Sequence, residues 1–398
     1  MIDIRAARND PERFRAALAR RGAAEAFDAL LAADARWREL VPQVDELRAK
    51  QKVQGKPTPE QLEELKARKA QLNELEAELA AAEAGRDAAL VKVPNPPDES
   101  AADGMTEDDA VEIRRWGEPP QLSEPKEHTE IGRFELERAA KVSGSRFGFL
   151  VGDTALVALA LYRFALDRLV REGFTAVIPP VLVREEAMYG TGFFPSDKSD
   201  YYEIPADGLY LVGTSEVPLV AMHMDEILDT LPLYYCAFSS CFRRESGAAG
   251  RDTRGMFRVH QFQKVEMVVY TTPENSWDEH ARMLAIEESL LQELAIPYRV
   301  VNTAAGDLST AAAKRYDIEG WFPSQDRYRE LTSCSNTTDY QARRSGIRYR
   351  TGEKALETPH TLNGTAATDR WLLALLENFQ GEVPDALQRF GAPARVTK

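Results

Sequence analysis

Cysteine is scarce in this chain of 398 residues, which contains Cys236, Cys241 and Cys334 and no CxxC pair. This scarcity argues against a disulfide framework and a cysteine-rich zinc site, and it is typical of a protein in a reducing compartment. The amino-terminal segment is charged from the third residue, Asp3, and lacks the apolar region of a signal peptide. The most apolar run, 155–162, is too short to span a bilayer. We therefore expect a cytoplasmic protein without a membrane anchor.

Positive charge is also in short supply overall, because 50 basic residues face 64 acidic ones and give a net charge of −14. That balance alone argues against binding of nucleic acid. The charge is unevenly distributed along the chain, however, since residues 48–69 contain seven basic and three acidic side chains. The basic members of this cluster are Arg48, Lys50, Lys52, Lys56, Lys66, Arg68 and Lys69.

The spacing of apolar residues predicts helices in the first quarter of the chain. A short helix is expected at 10–21, followed by two long helices over about 27–90 that form an antiparallel coiled coil. Gly, Pro and Thr residues at 55–59 interrupt the pattern and place the basic cluster toward the tip of this arm. A charged face on a coiled coil can also be merely solvated. The proline-rich, acidic linker at 93–105 separates an amino-terminal domain, 1–105, from a second domain, 106–398.

Beyond the linker, apolar and β-branched runs alternate with amphipathic stretches. The mixed order predicts an α+β domain with an antiparallel sheet flanked by helices, because a βαβ series would alternate regularly. We expect helices at 154–173, 216–229, 273–295 and 366–380, and strands at 175–178, 233–244, 256–270, 298–302, 328–334 and 359–363.

The most specific pattern lies at 243–270, which reads as strand, Gly-rich loop (Ser246–Gly255) and antiparallel strand. Side chains of a strand alternate between faces, so a row of polar and aromatic groups shares one face. Such a face is costly to bury and suits a ligand with phosphates, a flat base and an amine. An exposed hairpin with a charged face is the alternative, but it needs no loop of this length. The row consists of Arg258, His260, Phe262, Lys264 and Glu266.

The sequence lacks the common motifs for phosphate binding, nucleophilic catalysis and metal binding. No GxxxxGK[ST] motif is present, so a P-loop does not hold phosphates. No Ser-His-Asp or Cys-His arrangement stands out, and the five histidines are scattered without the spacing of metal ligands. We expect these histidines to be structural or exposed, and we expect no zinc.

The segment that begins at Arg243 and ends with GRDTRGMFRVHQFQKVEM resembles motif 2 of class II aminoacyl-tRNA synthetases, in the form found in seryl-tRNA synthetases. Residues 173–180 (GFTAVIPP) resemble motif 1, and residues 362–370 (LNGTAATDR) resemble motif 3. The segments LVGTSEVPL at 211–219 and YRELTSCSN at 328–336 are similar to the serine-binding and metal-binding segments of that family. Five such segments in the family's order identify the chain as a member.

The resemblance implies ATP-dependent activation of L-serine to seryl-adenylate, with Mg²⁺ as cofactor. Displacement at a phosphorus atom requires alignment of anions and stabilisation of charge rather than a protein nucleophile. Arg243, Glu266 and Arg370 are the implied catalytic residues, and Glu330 with Ser333 the implied Mg²⁺ ligands. The implied ATP-binding residues are Arg243, Arg244, Glu245, Arg258, Val259, Phe262, Glu330, Leu331, Thr332, Ser333 and Arg370.

The resemblance also assigns a serine site. Without it, the Thr-Ser-Glu segment at 214–216 would be interpreted as a helix-capping pattern, which is the commoner meaning. Glu266 is expected to face the amino and hydroxyl groups of serine, and Thr365 the hydroxyl group. The full set is Thr214, Ser215, Glu216, Arg243, Glu266, Asn363 and Thr365.

Partners follow from the resemblance as well. It implies that the coiled coil binds serine tRNA, and selenocysteine tRNA where the cell has one, through the basic cluster, and that motif 1 forms a homodimer. One alternative is an amino acid:carrier-protein ligase, but such relatives lack the helical arm. Another is a non-catalytic homologue, which should have lost Arg243, Glu245, Glu266 or Arg370. A duplicate synthetase for antibiotic resistance or biosynthesis would carry the same motifs.

Overall fold

The structure is a computed structural model, and it divides into two compact units, Met1–Pro96 and Pro97–Lys398. Lys52 and Lys56 of the basic cluster, and most of the predicted Gly-rich loop, lie outside the described residues. None of the helices in the described part of the chain is both long and apolar enough to cross a membrane. The described residues are 1–51, 58–246, 255–352 and 355–398.

The amino-terminal unit is helical. Thr58 caps the last of its helices with a capping box, and Pro59 occupies the first helical position, where its missing N–H is no loss. The short helix predicted at 10–21 is present, and a further short helix precedes it. The helices are α1 (Ile4–Asn9), α2 (Pro11–Ala19), α3 (Ala24–Lys50) and α4 (Pro59–Lys92).

Helices α3 and α4 pack against each other in antiparallel orientation. The guanidinium of Arg86 on α4 lies 4.1 Å from the Trp37 ring on α3, whereas Glu76 pairs with Arg48 at 2.9 Å. Residues nearer the end of α3 therefore contact residues nearer the start of α4, as antiparallel packing requires. The apolar residues that α3 buries are Phe27, Leu30, Leu40 and Val44. The structure thus has the two-helix arm that the spacing predicts.

The second unit is a mixed α+β domain. Its helices are α5 (His128–Ile131), α6 (Leu136–Ser143), α7 (Asp153–Arg171), α8 (Glu185–Thr191), α9 (Glu216–Ala221), α10 (Ser276–Glu293), α11 (Tyr340–Arg344), α12 (Asp369–Phe379) and α13 (Asp385–Gln388). Its strands are β1 (Val111–Trp116), β2 (Thr175–Val177), β3 (Leu182–Arg184), β4 (Glu203–Ile204), β5 (Leu209–Leu211), β6 (Ile227–Leu228), β7 (Leu233–Phe242), β8 (Gln261–Thr271), β9 (Tyr298–Asn302), β10 (Lys314–Phe322), β11 (Arg327–Asn336), β12 (Arg348–Arg350), β13 (Leu356–Glu357) and β14 (His360–Thr368).

Eight of these described strands form the main sheet, in the order β1-β9-β10-β11-β14-β8-β7-β2. Its pairs are antiparallel except for the β2–β7 pair. Helices α7, α10 and α12 cover one face, where Val265, Met267 and Val269 of β8 join the largest core cluster. The alternation of side chains along β8 places Lys264 and Glu266 on the opposite face. The antiparallel sheet flanked by helices is confirmed.

Two of the helices predicted in this unit have other bounds in the structure, and one long strand was not predicted. The helix predicted at 216–229 stops at Ala221, because Asp225 adopts a left-handed backbone (φ 58°) and Ile227–Leu228 pairs with β12. The last helix begins at Asp369 rather than at 366, since β14 continues its pairing with β8 as far as Thr368. Strand β10 has no counterpart in the prediction.

Candidate active site

The polar face of the main sheet carries the candidate site. Register places Glu266 of β8 opposite Thr365 of β14, and Asn363 of β14 opposite Ser335 of β11. Asn363 and Thr365 therefore both lie within β14, which extends beyond the predicted end of this strand at 363. Two adjoining cavities open on this face, a smaller one of about 100 Å³ and a larger one of about 550 Å³. Both are lined by Arg243, Glu245, Arg258, Lys264, Glu330 and Ser333.

The smaller cavity gathers most of the predicted ATP-binding residues. Arg244 is the exception, because its Nε donates a hydrogen bond to the Tyr201 carbonyl at 2.9 Å and its guanidinium lies 4.7 Å from the Tyr202 ring. The structure thus turns this side chain away from the cavity. The predicted residues that line the cavity are Arg243, Glu245, Arg258, Val259, Phe262, Glu330, Leu331, Thr332, Ser333 and Arg370.

The predicted strand face is shorter than expected. Strand β7 ends at Phe242 and β8 begins at Gln261, so Arg258 and His260 precede the strand, and Arg243 and Glu245 follow one. Glu245, three residues beyond the end of β7, has a left-handed backbone (φ 53°), and its carboxylate pairs with Arg258. His260 still pairs with Arg243, whose N–H donates to its carbonyl at 3.0 Å.

Arg243 occupies the wall that the two cavities share. Its Nε donates to the Gly213 carbonyl at 3.3 Å, and its guanidinium lies 5.2 Å from the Phe262 ring. Burial acts against its charge, but Tyr201, Cys241, Glu245 and Glu330 outweigh burial and raise the pKa of Arg243. The guanidinium therefore stays charged where the two cavities meet.

Glu330 and Arg370 form the other end of the smaller cavity. Nη1 of Arg370 lies 3.1 Å from both the carbonyl oxygen and Oε2 of Glu330, and its guanidinium lies 4.5 Å from the Phe257 ring. Burial opposes ionisation of Glu330, but Arg370 and Arg315 outweigh it and lower its pKa. No group of three or more His, Cys, Asp or Glu side chains that could hold a metal occurs in the described ranges.

The larger cavity collects buried polar groups that are bonded to one another. Nζ of Lys264 lies 2.6 Å from Oε2 of Glu266 and donates to Oγ1 of Thr214 at 2.7 Å. Oε1 of Glu216 accepts from the side-chain amides of Gln341 at 2.6 Å and Asn363 at 2.9 Å. Thr365, which lines the smaller cavity, donates to Oε2 of Glu266 at 3.2 Å and thereby links the two cavities.

Two carboxyl groups in this cavity hold their protons more tightly than usual. Burial, reinforced by the charge of Glu266, raises the pKa of Glu216 to about 7. Burial also raises the pKa of Glu266, although Lys264 and Thr365 act against this rise. A ligand that brings a cation between these groups would favour their ionised forms.

The Thr-Ser-Glu segment leads into α9 and also contributes to the site. Thr214 accepts from the backbone N–H of Glu216 at 3.2 Å, but the N-cap residue of α9 is Ser215, whose side chain makes no capping hydrogen bond. Thr214 and Glu216 line the larger cavity. Ser215 is fully buried and lines neither cavity. Of the predicted serine-binding residues, the structure thus leaves Ser215 outside the site.

Sequence reasoning missed several residues of these cavities. Arg315 lines the larger cavity from β10, where an alternating polar pattern (Arg315, Asp317, Glu319) could have revealed the strand. Lys264 belonged to the predicted row but received no role. Asp369 also lines the smaller cavity, beside the predicted Arg370.

Comparisons with known proteins place this arrangement in a family. Residues 1–97 match the model of the seryl-tRNA synthetase N-terminal domain, and residues 202–379 match the tRNA synthetase class II core domain (G, H, P, S and T). The Serine–tRNA ligase of Thermobifida fusca is 48% identical over 98% of this chain and 97% of that protein. The chain belongs to the seryl-tRNA synthetase family. The Nocardia farcinica Serine–tRNA ligase is likewise 48% identical, over 98% of both chains.

Solved structures of seryl-tRNA synthetases agree with this membership. The Pyrococcus horikoshii seryl-tRNA synthetase, complexed with ATP, superposes with a TM-score of 0.93 at 39% identity, covering 100% of both chains. The cytoplasmic Serine–tRNA ligase of Naegleria fowleri, in complex with AMP, has a TM-score of 0.88 at 34% identity, covering 98% of this chain and 96% of that one. The family and the fold are confirmed, while the roles of individual cavity residues stay predictions.

Proposed function

We propose that the chain activates L-serine with ATP to seryl-adenylate and transfers the seryl group to serine tRNA in the cytoplasm. The observation that carries this proposal is the position of Arg243 between two cavities of different chemistry. One cavity presents the carboxyls of Glu216 and Glu266, which suit an amine, and the other presents Arg258 and Arg370, which suit phosphates. The chain is an ATP-consuming aminoacyl-tRNA ligase of the class II type.

In the proposed activation step, a carboxylate oxygen of serine attacks the α-phosphorus of ATP and diphosphate leaves. Arg243 binds both anions with its forked donors, which aligns them and offsets their repulsion. Phe262 stacks on the adenine, Arg258 and Arg370 bind phosphates, and Glu245 accepts from the adenine amino group after exchanging its present partner Arg258. These residues position the reactants and stabilise charge, and none acts as a nucleophile.

The larger cavity selects serine in this proposal. Glu216, Glu266 and Thr214 bind the α-ammonium group, while Glu266 and Thr365 meet the hydroxyl group, as their present hydrogen bond allows. Asn363 holds the carboxyl of Glu216 in place. An amino acid that lacks the hydroxyl group would leave buried polar atoms unpaired, so alanine is strongly disfavoured.

Glu330 and Ser333 are the residues that would hold Mg²⁺. Both line both cavities, and the lowered pKa of Glu330 keeps its carboxylate ionised as a metal ligand must be. Their oxygen donors fit Mg²⁺, which takes few protein ligands when nucleotide phosphates and water supply the others. When bound, the metal ion would offset phosphate charge, and Arg370 would have to share Glu330 with it.

For tRNA we propose binding by the amino-terminal domain, 1–105, with catalysis by 106–398. The described residues of the basic cluster are exposed, except for the half-buried Arg68, and are mostly paired with acidic neighbours, as in Lys50–Glu46 and Lys66–Glu63. Such surface pairs contribute little free energy, so phosphates can replace the carboxylates at small cost. The proposed contacts also include Lys52 and Lys56, together with Arg48, Arg68 and Lys69.

We further propose a homodimer. The region around motif 1 exposes apolar side chains, which a partner copy would cover. Residues Phe149, Leu156, Leu159, Val170 and Ile178 keep between 46% and 94% of their surface exposed in the single chain.

The proposed function is tested by exchange of labelled diphosphate into ATP, in the absence of tRNA. Serine should drive the exchange, because the groups proposed for activation all lie in 106–398. Alanine and glycine serve as matched substrates without the hydroxyl group. Exchange that proceeds as well with alanine as with serine would overturn the assignment of Glu266 and Thr365, and a lack of any amino-acid-dependent exchange would overturn the proposal.

A further inference from the structure

A buried tyrosine and a buried carboxylate connect two helices beside the smaller cavity. Tyr162 of α7 keeps 4% of its surface exposed and donates a hydrogen bond from its hydroxyl group to Oδ1 of Asp369. Asp369, 7% exposed, is the first residue of α12. The residue that follows it is Arg370, so this contact lies one position away from a proposed phosphate ligand.

The second carboxylate oxygen of Asp369 connects α12 to strand β8. Oδ2 accepts from the backbone N–H of Gln263 at 3.1 Å, and Gln263 follows Phe262, the proposed adenine-stacking ring, on β8. One carboxylate therefore joins α7, β8 and α12. Asp369 thereby connects the main chain next to Phe262 with the start of α12, which carries Arg370.

Burial of this carboxyl is costly and needs a reason. Burial raises the pKa of Asp369 to about 6, against the hydrogen bonds from Tyr162 and Gln263. An apolar residue would avoid that cost, as buried charged groups often add no stability. Asp369 also separates two spaces, because it lines both the nucleotide cavity and a largely apolar cavity of about 530 Å³ beside α7.

We propose that Tyr162 and Asp369 are positioning residues for ATP, which fix Phe262 and Arg370 at the spacing that the nucleotide requires. The proposal rests on the proposed use of the smaller cavity for ATP. Neither residue is required to bind serine, whose proposed ligands Glu216 and Glu266 lie in the other cavity. A second anchor holds α12, since Nε1 of Trp371 donates to the Leu331 carbonyl at 3.3 Å, so the loss on removing the first should be partial.

The test is Tyr162→Phe in the full chain, which removes one hydroxyl group and keeps the ring packed on Phe238. We expect the Kd of ATP, measured by calorimetry without serine, to rise about tenfold, the equivalent of one net hydrogen bond. The KM of ATP in the exchange assay should rise in parallel, while the KM of serine stays within about twofold. Tyr298→Phe is the matched control, because Tyr298 is also buried and donates to a carboxylate, Glu288, at 3.0 Å away from the cavity.

A second variant keeps the test decisive if the first is poorly folded. Asp369→Asn retains the shape but offers one acceptor oxygen to two donors, so it should weaken ATP binding similarly. The double variant should lose less than the sum of the two single losses, because both act through one contact.

An unchanged Kd for ATP in folded Tyr162→Phe, or an equal loss of serine and ATP affinity, would overturn the inference. If the unaltered chain binds ATP without serine-dependent exchange, the proposed function fails, and the binding comparison still decides the role of Tyr162. If the unaltered chain does not bind ATP, both proposals fail.

Discussion

The carboxyl of Glu216 should make the affinity for serine depend on pH. Its pKa of about 7 in the empty site means that it is largely protonated in mildly acidic solution. A neutral carboxyl group binds an ammonium group poorly, so serine must bind to the ionised form. We therefore expect the KM of serine to rise as the pH falls below about 7, and to be level above it.

The size of this pH dependence follows from the pKa shift of Glu216. The pKa of Glu216 rises from its ordinary value of 4.5 to about 7, and each unit corresponds to about 1.4 kcal/mol. Because the folded state holds this proton more tightly, the empty protein should lose about 3 kcal/mol of stability as the pH rises through the interval between these values. Bound serine would offset that loss by pairing with the carboxylate. For one titrating group, the KM of serine should rise about tenfold from about pH 8 to about pH 6.

The assay is serine-dependent exchange at saturating ATP over this pH range. Glu216→Gln is the control, since its amide oxygen can still accept from Gln341 and Asn363 but no longer ionises. It should bind serine weakly and without the pH dependence. The KM of ATP should change by no more than about twofold, because the lowered pKa keeps Glu330 ionised and Asp369, whose pKa is about 6, is half protonated only at the lower end of this range. A flat serine profile in the unaltered chain, or the same slope in Glu216→Gln, would refute the reasoning.

Three further outcomes are expected. Arg243→Ala should reduce the rate of exchange by about 3–4 kcal/mol in activation free energy without unfolding the chain, and near-normal exchange would make Arg243 a bystander. Gly364→Ala should lower the free energy of unfolding in urea by about 1–3 kcal/mol, because the added methyl group would lie 2.5 Å from Oε1 of Glu287. The control is Gly85→Ala on α4, whose methyl group meets nothing within 4 Å and which should be neutral or stabilising. Equal losses of stability in the two variants would contradict this prediction. The last variant replaces the described residues of the basic cluster, Arg48, Lys50, Lys66, Arg68 and Lys69, with Gln. It should raise the KM of tRNA and flatten its salt dependence by about 0.7–0.9 in log–log slope per lost phosphate contact, while exchange without tRNA stays unchanged. Charging of tRNA at the full rate at all salt concentrations would refute a role for these residues.

The sequence alone predicts the sheet face well where local alternation sets it. Lys264 and Glu266 alternate with Val265 and Met267, and the structure places the two sets on opposite faces of β8. The motif resemblance then extends the site to β11 and β14, because each motif carries a strand with it. Strand ends were less predictable, because β8 begins at Gln261 although the alternation of residue types extends back through Arg258 and His260.

Contacts between distant parts of the chain could not be predicted. Tyr162 and Asp369 are 207 positions apart, and in isolation each fits an amphipathic helix. The pairing of Glu216 on α9 with Gln341 on α11 is likewise visible only once these two helices are packed. Local patterns report which face is polar, whereas the identity of the partner depends on the packing of the whole domain.

The three buried thiols have a practical consequence. Cys236 and Cys241 lie on β7 and Cys334 on β11, all without solvent exposure, and burial raises their pKa values. Thiol reagents attack the exposed thiolate, so modification should require these strands to open. The labelling rate would then report how often the centre of the sheet opens. A cysteine introduced at the exposed arm position, Ala67→Cys, would be labelled first and would give a single-site probe of that arm.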